Sequence, residues 1–353
     1  MRSGLVGLGS ALILAMAPPT AGAGGDAGVV AASSAGCDVA RVTAFGLETT
    51  DRSRPIPEPE IRLNRPGSYC LDGDVLRVPL WNPLRRSEQV AHGVTVALVE
   101  SDRVALDLAG HTIANQRLFG VTLIGHFRYR TPGTPPLTHA EATIRSTTIR
   151  NGRLISPYRD GIGIRLGRLP GDGLLIRTRP VAIPQGQSVT TFFPETRHLI
   201  EDLTIEAGNS AILIDGRDNV IRNNRIIVDS AAAIIAMGPG LVLENNLIEV
   251  RDTVEPPGDP PAPREALERF PIRLIQADGA VVRNNRIRFV NADRGRTLPA
   301  AIGLVASRAV RIVGNQVLGT TALVAADPES TYLESGNALA RVSPQDRSAL
   351  SRD

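Results

Sequence analysis

Between residues 92 and 337 short apolar runs alternate with polar residues, and the pattern keeps returning to the same sentence. The clearest copies are adjacent: IRNNRI at 221–226 and LENNLI at 243–248, with Asn223 and Asn245 22 residues apart. Each follows a brief apolar run, AILI at 211–214 or AIIA at 233–236. A fixed period near this length, built from short β-branched strands, is the mark of a solenoid.

Reduced to its physics, the repeat is apolar, any, Asn/Gly/Asp, any, any, apolar. It fits seven places, with turn positions at Gly110, Asn151, Asp202, Asn223, Asn245, Asn284 and Gly314. Their spacings are 41, 51, 21, 22, 39 and 30, so one coil takes 21 or 22 residues and the longer gaps carry insertions. Asn, Gly and Asp tolerate the left-handed backbone that a tight corner between strands requires. Stacked Asn side chains can also hydrogen-bond from coil to coil. A small residue followed by apolar alternation precedes each corner, from GVTV at 93–96 to TALV at 321–324. These markers predict eight coils of three strands each. Insertions at 125–146, 167–198 and 252–270 all flank the first strand of a coil, and the last ends in a short predicted helix.

This repeat resembles that of the right-handed parallel β-helix proteins of the pectate-lyase-like superfamily. The resemblance covers roughly residues 90–337. It implies an all-β chain forming a single right-handed parallel β-helix. The expected organisation is a signal peptide at 1–23, a flexible N-terminus at 24–36, an N-terminal cap at 37–91, the β-helix at 92–337 and a tail at 338–353. A solenoid needs a cap because its first coil otherwise exposes unpaired strand edges.

Composition narrows the function. All 39 basic residues are Arg, so Lys chemistry such as a Schiff base is excluded. The net charge of +3 is small for 353 residues and argues against nucleic acid as the partner. Arg2, the apolar stretch 5–17 and the small residues ending at Ala23 read as a cleavable secretory signal, with no membrane span after cleavage. Export predicts a disulfide between the two cysteines, Cys37 and Cys70, and a secreted or periplasmic location. A monomer is expected.

The outward positions separate structure from candidate chemistry. Beside the Asn corner, Arg150, Glu201, Arg222, Glu244 and Arg283 alternate in sign down five coils, which predicts a salt-bridge ladder. The first-strand face carries few polar residues: Arg165, Asp215 and Arg273, with Asp160 at its leading edge. Taking Ile162 as equivalent to Ile212 makes Arg165 and Asp215 direct neighbours. Two readings stand: an exterior salt bridge, or a catalytic pair. His198, at the end of the longest insertion, is placed to lean over this face as an acid or base. The first-strand face is where family members bind polysaccharide, so the resemblance gives catalytic roles to Asp215, Arg165, Arg273 and His198. Asp160, Tyr158 and Arg217 are then substrate-binding. By the same resemblance Asp215 helps hold Ca2+ while an Arg acts as base. No His/Cys cluster has metal-ligand spacing.

The expectation is therefore an exported protein acting on acidic polysaccharide, with a lyase-type cleft over the first strands. A glycoside hydrolase fits less well: Asp160 and Asp215 would lie roughly 16 Å apart along the strand, beyond a paired-carboxylate mechanism. The alternative is a non-catalytic β-helix for surface attachment, adhesion or glycan binding.

Overall fold

The computed structural model describes residues 37–39, 61–77, 95–115, 121–126, 143–157, 161–167, 183, 185–229, 232–251, 270–290 and 298–340. The expected signal peptide and flexible N-terminus lie outside these residues, as do most of the three insertions.

Almost every described element is a strand, and the pairings between them are parallel. The first strands of successive coils form one nine-stranded sheet: Ile61–Leu63, Thr95–Val99, Thr122–His126, Ile162–Leu166, Ile212–Asp215, Ile234–Met237, Ile272–Ile275, Leu298–Val305 and Thr320–Ala326. The second and third strands form two further ladders. They count as one 17-stranded sheet because Thr148–Ser156 and Leu199–Ala207 run through the corner between them. The stacking extends beyond the predicted limits at both ends. Residues 61–77, expected ahead of the coils, contribute Ile61–Leu63, Gly67–Cys70 and Val75–Arg77 to the same ladders. Ala338–Ala340, expected as tail, is a strand on Gln316–Leu318.

All seven predicted corner positions have left-handed φ, from 53° at Asp202 to 82° at Gly110. An eighth corner, Gly336 (φ 62°), escapes the template because Glu334 stands where an apolar residue was required. Inside the corners, aliphatic residues stack in register. Ile149, Ile200, Ile221, Leu243, Val282 and Ile312 form one such column, all fully buried. Burying each such side chain contributes about 1.5–3 kcal/mol. In the last coil Glu334 continues this column, and it is exposed.

From Asn223 onward the two central residues of each corner divide the work. The first turns the chain. The second, Asn224, Asn246, Asn285, Asn315 or Asn337, points inward and forms a continuous ladder. Asn224 Nδ2 donates to Asn246 Oδ1 (3.0 Å), Asn246 to Asn285 (2.9 Å), Asn285 to Asn315 (3.0 Å) and Asn315 to Asn337 (3.1 Å). Each Nδ2 also reaches a backbone carbonyl, Ile221 O for Asn246 and Leu243 O for Asn285. Each Oδ1 accepts the backbone N–H of the preceding coil's corner as well. Backbone groups at a buried corner thus find partners without water.

The charge ladder is present and longer than expected. Asp107 joins it, so the register reads Asp107, Arg150, Glu201, Arg222, Glu244, Arg283. Ion pairs form at Arg150–Asp107 (3.0 Å), Arg222–Glu201 (2.6 Å) and Arg283 Nε–Glu244 (2.6 Å). Cys37 and Cys70 are disulfide-bonded, tying Asp38–Val39 to the edge of Gly67–Cys70. Closing a loop of 33 residues in this way stabilises by ~3–4 kcal/mol.

Asn246→Ala is expected to lower unfolding free energy by about 2–4 kcal/mol, because it strands the buried Asn224 N–H and Ile221 C=O. Asn245→Gly, one residue earlier, is expected to stay within about 0.5 kcal/mol, since glycine accepts the same φ. Chemical denaturation of the two variants measures the difference. Equal losses would mean that the inward and corner asparagines do not divide the work as described.

Candidate functional site

The register of the first sheet corrects the predicted columns. Ile164, not Ile162, pairs with Ile212, so Arg165 stands beside Leu213. Leu166 pairs with Ile214, and the Asp215 carboxylate lies over Gly167, in the space a side chain there would fill. Ile162–Leu166 carries one more residue than Ile212–Asp215, and counting from the small-residue marker misplaces it by two. Side chains alternate with period two, so a slip of two preserves the inside–outside pattern and apolar alternation cannot detect it.

The true outer column reads Leu98, Gly125, Arg165, Leu213, Ile235, Arg273, Gly303. The next reads Asp215, Met237, Ile275, Val305. Most of this face is not open. Leu213, Ile235, Met237, Ile275 and Val305 are buried and form, with Phe193, a second hydrophobic cluster distinct from the coil interior. Val189 and Phe192 pack against it from the short helix Val189–Phe192. Ser188 caps that helix, its Oγ accepting from Thr191 N while Ser188 N donates to Thr191 Oγ1. The insertion thus lays aromatic residues onto the sheet.

The predicted residues fall into four situations. Arg165 is half-buried; burial pushes its pKa down, and the negative charge of Asp215 opposes that shift. These two are in electrostatic contact although not in register. Asp215 itself is 8 % exposed and sits at a corner, where Thr196 Oγ1 and Asn219 Nδ2 donate to its backbone carbonyl. Arg217 belongs to the same corner: its N–H donates to Pro194 O, and its carbonyl accepts from Thr196 and Arg197. Arg273 is 1 % exposed, next to Gly303, over which the Phe270 ring lies, so it is shut off from an outside substrate. Tyr158 and Asp160 lie outside the described residues.

His198 does not lean over the face; it is 1 % exposed, inside the corner between first and second strands. Its Nδ1 accepts from Thr147 N (3.1 Å), and its own N–H donates to Asn219 Oδ1 (2.8 Å). A neutral imidazole accepting at Nδ1 carries its proton on Nε2. That Nε2 is buried without a hydrogen-bond partner. The ring meets His126 edge-on at 4.7 Å. His126 accepts Gly167 N at Nδ1 (3.2 Å), which directs its Nε2–H to Thr147 Oγ1 (2.9 Å). Burial pushes the His198 pKa down to about 3, partly offset by Asp102. This polar network was not anticipated. Its one signal is Asp218-Asn219, an echo of the Asn-Asn corners with Asp218 at φ 61°.

Calcium finds no ready cage here. It takes about six to eight oxygens, usually from several carboxylates. Asp215 has Gly167 and Met237 as its flanking positions, and among the described residues no group of three or more His, Cys, Asp or Glu could hold a metal ion.

His198 makes stability pH-dependent with a definite sign. Its folded pKa is below the unfolded value of about 6.5, so below that pH the unfolded chain takes up a proton that the folded chain refuses. Stability present above pH ~6.5 is lost toward the folded pKa at about 1.4 kcal/mol per pH unit. His198→Asn keeps an acceptor near the Nδ1 position. It is expected to flatten the fall in denaturation midpoint between pH 7 and pH 5. An unchanged slope would show that His198 titrates normally.

Comparison with models of known families, with curated proteins and with solved structures finds no match to this chain.

Proposed function

We propose that the chain is a right-handed parallel β-helix of the pectate-lyase-like kind, exported, which binds acidic glycans without cleaving them. The observation that carries this is the second hydrophobic cluster: Leu213, Ile235, Met237, Ile275 and Val305 lie beneath Phe193 where a cleft would need solvent and polar groups. With Arg273 buried and His198 inside the coils, a lyase keeps only Arg165 and Asp215 of its expected set. Export is supported by the signal-like pattern at 1–23 and by the disulfide, which is compatible with an extracellular setting. Among the described residues no helix is long and apolar enough to cross a membrane.

One observation favours a lyase as second reading. A half-buried Arg whose pKa is pushed down, beside a carboxylate, is the electrostatic setting of a proton acceptor. The two readings separate in one assay. Uronate-containing polysaccharides are incubated with the protein, with Ca2+ or chelator, and unsaturated product is followed by absorbance. The expected outcome is no product, together with retention of the protein on an acidic polysaccharide matrix. Product formation abolished by both Asp215→Ala and Arg165→Ala would replace this reading with the lyase.

A further inference from the structure

The corner between the second and third strands presents a pattern that the charge ladder does not absorb. RNGR at 150–153, RNNR at 222–225 and RNNR at 283–286 recur, and the register places them on every second coil. The two intervening coils carry EDLT and ENNL at the same positions, and the coil that follows carries VGNQ. In each Arg-Asn-x-Arg the first Arg is neutralised by an acid of the preceding coil. The second Arg is not. Arg153, Arg225 and Arg286 are exposed and occupy one outward column, separated by Thr204 and Leu247. Among the described residues Arg225 and Arg286 have no side-chain partner, and Arg153 touches Glu206 only at 3.9 Å. The adjacent acid Glu249 is held by Arg251 (3.2 Å).

This column therefore carries one sign at a fixed interval, unlike the alternating ladder one corner away. Parallel strands lie ~4.8 Å apart, so the arginines repeat at ~9.6 Å. The exposed corner residues Asn151, Asn223 and Asn284 stand beside them with amide donors and acceptors. We propose that this ridge binds an extended, β-linked acidic polysaccharide that presents one carboxylate per disaccharide along one edge. In such a chain alternate sugars face the same way, so acid groups recur on one side at an interval of about two strand spacings. Arg153, Arg225 and Arg286 pair with successive carboxylates, and the asparagines take sugar hydroxyls. Nucleic acid fits poorly: a duplex strand offers a phosphate every ~3.4 Å. The assignment rests on the glycan-binding reading above and moves its site from the first-strand face to the corner between the second and third strands.

The test uses the full chain and poly-β-mannuronate, with a neutral β-glucan as control. Wild type is expected to bind the first and not the second. Each of Arg153→Gln, Arg225→Gln and Arg286→Gln is expected to weaken binding about threefold to fivefold, and the triple variant roughly fiftyfold. Arg308→Gln, exposed on a different corner, is expected to change it less than about twofold. Circular dichroism and the thermal midpoint confirm that the variants fold. If wild type binds no acidic polysaccharide, the glycan-binding reading falls and the ridge with it. If wild type binds and the triple variant binds equally well, the ridge assignment alone is overturned. A loss in Arg308→Gln as large as in the triple variant, or single-stranded DNA competing as well as polyuronate, overturns the spacing argument.

Discussion

A parallel coil must turn its corners with the backbone buried, and every N–H and C=O in the turn must find a partner away from water. The inward asparagine ladder from Asn224 to Asn337 meets that demand, because an amide both donates and accepts and so passes hydrogen bonding on to the next coil. The aliphatic columns supply most of the free energy of burial, but they do not distinguish a register shifted by two residues. The amides are directional, and they fix which residue of one coil sits over which residue of the next. Below Asn224 the equivalent inward positions are Leu203 and Gly152. There a backbone N–H of Leu203 still reaches Asn224 Oδ1, and a side chain at Gly152 would collide with Leu108 and the His111 carbonyl. Specification by hydrogen bonds thus gives way to specification by close packing in the earlier coils.

Charge appears on the outside in two arrangements that the same fold makes adjacent. Across the corner from Asp107 to Arg283 signs alternate, and each ion pair is half-exposed, a setting in which it adds little stability and chiefly disfavours mismatched stacking. Three residues further along the chain the arginines repeat without acids between them. Three residues apart, the two columns would share one face of a helix; in strands broken by a left-handed Asn they are set on different faces. One column stabilises the stack, and the other is left available to solvent.

The corners were legible from residue types because left-handed φ favours Asn, Asp and Gly, and the seven corner positions from Gly110 to Gly314 all take that conformation. The first coil was missed because Leu71 to Val75 is one residue shorter than the repeat, and the final corner because Glu334 occupies an apolar position. The position of Arg165 was misjudged for a different reason: a displacement of two residues leaves hydrophobic alternation intact. The exterior face was misread because Leu213, Ile235 and Ile275 look alike whether they line an open surface or a buried one. What covers them is Phe193, brought from an insertion whose path no periodicity encodes. His198 resembles a loop residue in sequence because its neighbours Arg197 and Glu195 are polar, whereas its partners Thr147 and Asn219 are distant in sequence.

Glu334 has a consequence at the scale of many molecules. A solenoid's last coil offers three parallel edges on which an identical coil could be laid, and repetition of that step would draw chains into a fibre. Here the column that is Ile, Leu or Val for six coils meets a carboxylate in the last described coil. A further coil stacked upon it would have to desolvate that charge against hydrocarbon, at a cost of several kcal/mol. Glu334 therefore disfavours such stacking: the feature that hid this coil from the repeat also opposes its repetition.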